Sequence, residues 1–332
     1  MTLQQVQLGS GPAVGAQGLG CMGMSEFYGP TDQDEARRTL EHALDRGVTL
    51  FDTADIYGMG ANEEFLSPFV RAHRDQVVIA TKFGLVRKAD DPHYRGFRGD
   101  AAYVRAAAEA SLRRLGVDEI DLYYMHRRDL SVPIEETVGA MAELVAEGKV
   151  RHLGLSEVTG AEIRAAHAVH PIAAVQSEWS VFNRDVENTA VPAAAELGVA
   201  LVPYSPLGRG FLTGAFAAAE QLSDTDFRRN FPQYSGENAA RNAELLQPLR
   251  EVADRHGATM AQVALAWLHA QQGGGLTVVP IPGTRRRTRL DENLAAANLT
   301  LTPADLEALE PISAQVEGTR YPDMTFTAAA RE

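Results

Sequence analysis

Four residues of this 332-residue chain, Asp52, Tyr57, Lys82 and His126, have types and positions suited to chemistry. Asp52 ends the apolar run Val48-Thr49-Leu50-Phe51, and Tyr57 follows in Thr53-Ala54-Asp55-Ile56-Tyr57-Gly58. Lys82 ends Val77-Val78-Ile79-Ala80-Thr81, and His126 ends Asp121-Leu122-Tyr123-Tyr124-Met125. Three strand-like runs thus each finish on an ionisable residue, at the strand end where barrel enzymes keep their chemistry. A lone histidine in such a place is more often an ordinary rim residue. Together the four bring an acid, a cation, a carboxylate and an imidazole to one rim, which chance explains poorly.

The elements that must position them follow one rhythm: a short apolar run, a turn, then a segment with helical periodicity. The runs are Val48–Asp52, Val77–Lys82, Ile120–Met125, Val150–Leu155, Ala173–Gln176, Val199–Pro203 and Leu276–Pro280, with an earlier one in the glycine-rich stretch Gln17–Met22. Helical faces recur between them, as in Ala36, Leu40, Ala43 and Leu44, in Val104, Ala108, Leu112 and Leu115, and in Val138, Met141, Leu144 and Val145. Gly47, Gly116, Gly148 and Gly198 stand where helices should stop, the place for a residue that tolerates the left-handed region. Continuous rather than alternating apolar runs suit parallel strands buried on both faces. Eight such strands fit a closed (β/α)8 barrel or an open doubly wound sheet. No Pro/Ser/Gly-rich linker divides residues 1–332, so the expectation is a single (β/α)8 TIM barrel domain. Val6–Val14, with Gly9-Ser10-Gly11-Pro12 inside it, reads as an N-terminal hairpin outside the barrel. A long stretch separates the seventh and eighth runs; its polar part, Gly208 to Gly236, reads as a lid over a cofactor.

Composition narrows the class. Apolar residues are 45% and charged residues 23% of the chain, ordinary values for a globular protein. The net charge of −13 argues against nucleic acid or acidic membrane as a chain-wide partner. A single cysteine, Cys21, can form no internal disulfide and no Cys-rich metal site. The start lacks the pattern of a secretory signal, and no apolar run is long enough to span a bilayer. These features lead to the expectation of a cytoplasmic enzyme without a metal.

Gly18-Leu19-Gly20-Cys21-Met22-Gly23 matches G-x-G-x-x-G, but the polar segment Ser25–Gln33 with Pro30 separates it from the next helix. A dinucleotide fingerprint must open a helix directly, so these glycines are read as strand and turn residues. The fuller signal is the order of several segments: Phe51 to Gly58, Thr81-Lys82-Phe83-Gly84, Ser111-Leu112-Arg113-Arg114-Leu115-Gly116, and Asp121 to His126. Gly148 to Ser156, Val175-Gln176-Ser177-Glu178, Pro203 to Gly210 and Pro280 to Asn293 follow. In that order and spacing the chain resembles the aldo-keto reductase superfamily over nearly its whole length. The resemblance implies a (β/α)8 barrel, NADPH/NADP+ as cofactor and a small-molecule carbonyl substrate, and puts Asp52, Tyr57, Lys82 and His126 on the family's catalytic tetrad.

The chemistry of that tetrad is coherent. Hydride reduction of a carbonyl leaves an alkoxide that must be protonated as it forms. Tyrosine, with a pKa of about 10, is a weak acid at neutral pH; an ammonium beside it lowers that value. Lys82 is expected to do this for Tyr57, Asp52 to hold Lys82, and His126 to orient the substrate oxygen.

The resemblance also places cofactor contacts: Ser156 and Gln176 at the nicotinamide carboxamide, Tyr204 under the ring, and Ser205-Pro206-Leu207-Gly208-Arg209-Gly210 around the pyrophosphate. It adds Ile281, Pro282, Gly283, Thr284, Arg285, Arg289, Glu292 and Asn293, with Arg289 and Thr284 at the adenosine 2′-phosphate and Glu292 and Asn293 at adenine. Many relatives carry Asn after the serine, where this chain has Glu157, and a carboxylate cannot donate to a carboxamide oxygen. Four arginines lie among the five residues Arg285-Arg286-Arg287-Thr288-Arg289, odd in an acidic chain. A solvated basic turn is the plain reading; a phosphate at a helix start explains the location better. NADPH is therefore expected over NADH.

Weaker signals remain. His167 and His170 have helix spacing but no carboxylate beside them, and read as surface residues. Trp179 and Phe182 either pack the rim or line a substrate pocket, with the pocket slightly favoured for aromatics at a barrel's active face. Asn298-Leu299-Thr300 fits a glycosylation pattern that has no meaning without secretion. The tail Arg320-Tyr321-Pro322-Asp323-Met324 either closes over the pocket or packs on the barrel. Two alternatives to a reductase are a cofactor-sensing regulatory subunit resembling potassium-channel β subunits and a metal-dependent barrel hydrolase. The complete tetrad weighs against the first, the sparse ligand set against the second.

Overall fold

The computed structural model of the chain describes residues 3–88, 90–224 and 226–332. Its strands in chain order are β1 Gln5–Gln7, β2 Ala13–Gly15, β3 Leu19–Gly20, β4 Leu50–Asp52, β5 Val78–Phe83, β6 Leu85–Lys88, β7 Asp91–Phe97, β8 Ile120–Met125, β9 Val150–Ser156, β10 Ile172–Glu178 and β11 Ala200–Tyr204. β3, β4, β5, β8, β9, β10 and β11 pair in parallel in that order. Helices fill the crossovers, which gives the (β/α)8 barrel.

The eighth run does not form a regular strand. Residues 277–283 close the barrel through parallel bridges Leu201–Val278 and Gly20–Gly283. Pro280 and Pro282 have no N–H to donate to a ladder, so the segment pairs only intermittently: Val279 N–H reaches the Leu201 carbonyl and Ile281 N–H the Pro203 carbonyl. Glycine matters at this seam. A Cβ on Gly18 would sit 2.9 Å from Ile281 Cγ2, and one on Gly20 would sit 3.0 Å from the Ile281 carbonyl.

The foreseen hairpin is present as the antiparallel pair β1–β2. Its turn lies against Ala173 and His152, near the N-terminal ends of β10 and β9, which leaves the opposite rim for chemistry. Leu8 and Val14 join Leu50, Ala80, Leu122, Tyr124, Ala174, Val202 and Val279 in the barrel's inner core. A second hairpin, β6–β7, follows Lys82 directly; its polar sequence carries no apolar alternation to announce it. Helix ends obey their local chemistry: Asp32 accepts from the Asp34 and Glu35 amides, and Thr159 and Glu162 cap each other reciprocally. Gly116 and Gly198 end helices in the left-handed region.

The stretch after β11 begins as short 3-10 turns between Gly208 and Tyr234 and ends in the helices Gly236–Glu244, Gln247–His256 and Met260–His269. It reaches over the rim: Phe227 stacks obliquely on Phe27 at 4.7 Å, and the Arg228 guanidinium lies 5.2 Å from the Tyr28 ring. Among the described residues no helix is long and apolar enough to cross a membrane.

Candidate active site

Asp52 and Lys82 end neighbouring strands and meet in the barrel mouth. Lys82 Nζ donates to Asp52 Oδ1 at 2.5 Å and to the Thr53 carbonyl at 2.8 Å, and it stands 3.4 Å from the Tyr57 hydroxyl. The Tyr57 ring faces His126 edge-on, with centroids 5.9 Å apart. All four residues are thus brought to one place. Tyr57 is held by a tight turn in which Gly58, Met59 and Gly60 all have positive φ, 57°, 54° and 97°. Met59 is strained there, and a Cβ on Gly60 would run into the Arg114 side chain at 2.7 Å. Behind the turn, Glu63 accepts from Thr81 and Arg114 at 2.6 Å each, and Asn62 joins Thr53, Ser25 and the Cys21 carbonyl. The strand ends and the turn are therefore braced by satisfied buried polar groups.

Burial sets the protonation states. It raises Tyr57 well above its ordinary value, with the Asp52 charge acting in the same direction and Arg127 against it. Burial dominates here; the Lys82 ammonium is held by Asp52 at 2.5 Å and stands 3.4 Å from the Tyr57 hydroxyl. Tyr57 accordingly keeps its proton. Burial also lowers Lys82, against the pull of Asp52. His126 is lowered well below 6.5 by burial, then by the charges of Arg127 and Lys82, so its ring is neutral. Its Nδ1 is buried and has no hydrogen-bond partner among the described residues.

Toward β9 to β11 the residues form a dense polar network. Gln176 donates to Asp52 Oδ2 at 2.7 Å, which buttresses the Asp52–Lys82 pair. Arg127 donates to Ser156 Oγ at 3.1 Å and to the His126 carbonyl at 2.7 Å. Glu157, at φ 50°, accepts from Tyr204 at 2.8 Å and from both terminal nitrogens of Arg320. Against burial, the Arg320 and Arg127 charges and these hydrogen bonds hold its carboxyl down at about 2. Arg209 binds Glu178 through two 2.8 Å contacts and donates to the Tyr321 hydroxyl, within the turn Gly208–Thr213 where Arg209 and Gly210 have positive φ. The tail therefore packs into this rim: Arg320, Tyr321, the Ala328 amide and Arg331 all bond to it. Sequence reasoning missed Arg127 and the tail's partners. Arg127 was visible as the neighbour of His126; nothing local signalled Arg320.

Trp179 and Phe182 are corrections. They are 1% and 2% exposed, with Trp179 edge-on to Trp267 and bonded to Glu187, and Phe182 against Phe211. Apolar bulk drew them into the layer between barrel and helices. His167 accepts the Ile172 amide.

At the other end, Arg287–Ala295 is a helix whose N-cap, Arg286, makes no side-chain cap bond. Glu35 accepts from the Arg287 amide and pairs with its guanidinium. Arg285 ties down the loop between β3 and the helix Gln33–Asp45 through the Gly23, Tyr28 and Gly29 carbonyls and Thr31. Arg286 and Arg289 are exposed beside Thr284, and Arg289 pairs with Glu292 at 2.6 Å. Asn293 is buried beneath. A helix start whose first amide holds only the Glu35 side chain, with the exposed Arg286 and Arg289 beside it, fits a phosphate. The donor set suits a phosphorylated dinucleotide.

A sequence model of the aldo/keto reductase family matches residues 17–314. Among solved structures, the chain is similar to a glycerol dehydrogenase from Gluconobacter oxydans, at 26% identity over 97% of this chain and 98% of that one, TM-score 0.84. It is also similar to the holo form of an aldo-keto reductase from Bacillus halodurans, at 26% identity over 97% and 99%, TM-score 0.76. An aldo/keto reductase from Klebsiella pneumoniae in complex with NADP and acetate matches at 27% identity over 96% and 99%, TM-score 0.71.

Proposed function

The chain belongs to the aldo/keto reductase family, and from that premise we propose that it is an NADPH-dependent reductase of aldehydes or ketones with Tyr57 as the general acid. The observation that carries this reading is Lys82, buried between Asp52 at 2.5 Å and the Tyr57 hydroxyl at 3.4 Å. A bound nicotinamide supplies the hydride. Tyr57, protonated by virtue of its burial, delivers its proton to the substrate oxygen, since an alkoxide is a far stronger base than a phenolate. Lys82 then faces the tyrosinate and stabilises it. Neutral His126 shares the mouth with Tyr57 and orients the carbonyl. Asp52 and Gln176 keep Lys82 in place. Ser156 and Tyr204 suit the nicotinamide, and Thr284, Arg286 and Arg289 suit the 2′-phosphate that distinguishes NADPH from NADH.

NADPH absorbance followed across aromatic aldehydes, aliphatic aldehydes, pyridoxal and ketosteroids tests the reading. Turnover with NADPH well above that with NADH is the expected result. Tight NADPH binding with no turnover on any carbonyl would favour a cofactor-sensing role and overturn it.

A further inference from the structure

Three arginines are buried at the active rim, Arg127, Arg209 and Arg320, at 6%, 8% and 4% exposure. Arg209 pairs with Glu178, and Arg320 pairs with Glu157, Glu178 and Asp185. Arg127 differs: among the described residues no carboxylate lies within ion-pair reach of it. Glu157, whose charge it feels, is already held by Arg320. The Arg127 hydrogen bonds are also lopsided. Its Nη1 is anchored by the His126 carbonyl and Ser156 Oγ at 2.7 and 3.1 Å. Nη2 has only a long 3.4 Å contact to the Tyr204 hydroxyl, and Nε makes no hydrogen bond among the described residues. The rings of Tyr204 and Phe326 flank the guanidinium at 5.8 and 5.6 Å.

A buried charge with no counter-charge is costly. One anchored on the His126 carbonyl and Ser156 implies an anion that arrives with a ligand. The reacting end of a nicotinamide does not bring one: its carboxamide is neutral and its oxidised ring is cationic. We propose that Arg127 is an anion subsite for the substrate, so that the preferred carbonyl compounds carry a carboxylate a few bonds from the reacting carbon. The Nε and Nη2 edge of the guanidinium, which carries only the long Tyr204 contact, matches the planar fork of a carboxylate. This inference rests on the reductase reading and narrows its substrate class.

The test compares kcat/KM for 4-oxobutanoate against butanal and for 5-oxopentanoate against pentanal, with NADPH. The acid of at least one pair is expected to be preferred by about 10- to 100-fold, as a charge-assisted contact would give. Arg127→Met and Arg127→Gln should bring that ratio close to one, and Arg127→Lys should keep part of it. Calorimetric titration with butanoate and with butanamide gives a readout without turnover: the wild type should favour butanoate and Arg127→Met should lose that preference. Ratios near one in the wild type, ratios that survive Arg127→Met, or a loss of NADPH affinity as large as the loss toward the oxo acid would each overturn the proposal. Neutral aldehydes reduced without any preference for acids would defeat the anion subsite and leave the reductase intact. If no carbonyl is reduced, the reductase reading fails and the calorimetric arm alone decides Arg127.

Discussion

The two ends of the site are built in opposite ways. At the reacting end, Asp52, Lys82 and His126 come from strand ends or the residue just after one and are at most 7% exposed, with Lys82 and Asp52 locked together. At the phosphate-fitting end, Arg286 and Arg289 stand in solvent on a helix start, and Arg289 holds only Glu292 three residues on. The buried end is pre-organised, so what it does to a reaction is large and resists salt. The exposed end is screened and adjustable, and the role proposed for it is selection between cofactors. Chemistry and cofactor choice are therefore expected to fail separately.

The strongest way to break that contrast is Lys82→Met. It strips a buried carboxylate of its cation, which in comparable cases costs about 3–5 kcal/mol, and it removes the charge that receives the tyrosinate. Reduction rate is expected to fall by about 100-fold or more, with a lowered melting temperature. Ordinary turnover and melting would mean that Asp52 and Lys82 are not coupled as described.

Arg289→Ala probes the other end with a smaller effect. Its side chain is 57% exposed, so NADPH affinity should weaken by about 10-fold, near the low end for charge-assisted bonds. NADH affinity and the rate with bound cofactor should barely move. Fluorescence titration with both cofactors checks this; equal losses would assign Arg289 to structure.

The smallest effect concerns pH and sharpens the account of the buried end. His126 is held neutral by burial and by Arg127 and Lys82. As pH falls through 6.5, an ordinary histidine would gain its proton; His126 should not. The kcat/KM profile for a neutral aldehyde is expected to show no inflection there, and Arg127→Met should move one upward toward that region by removing a nearby cation. An inflection near 6.5 in the wild type would contradict the burial argument.

The same division governs what the sequence made legible. Strands ending on Asp52, Lys82 and His126 were readable because apolar runs and the residues that terminate them are local features. The closing segment 277–283 was readable as apolar but not as irregular, although Pro280 and Pro282 were in plain view. Glu157 looked like a poor substitute at a cofactor contact; its partner Arg320 is a tail residue far away in sequence, and no periodicity links such distant groups. Trp179 and Phe182 were misplaced because an aromatic at a strand end suits a pocket or a core equally well until neighbours such as Trp267 and Phe211 are known. Tyr57's shifted acidity depends first on its burial and then on the Asp52 charge, neither of which sequence spacing can supply.

The central claim is that Tyr57 donates the proton without holding the cofactor. Single-turnover NADPH oxidation with an aldehyde, measured beside NADPH affinity for Tyr57→Phe, tests it most directly. The account predicts affinity close to wild type and a hydride-transfer rate lower by about 100- to 10,000-fold. A variant that keeps more than half the wild-type rate, or loses rate and affinity in equal measure, would contradict it.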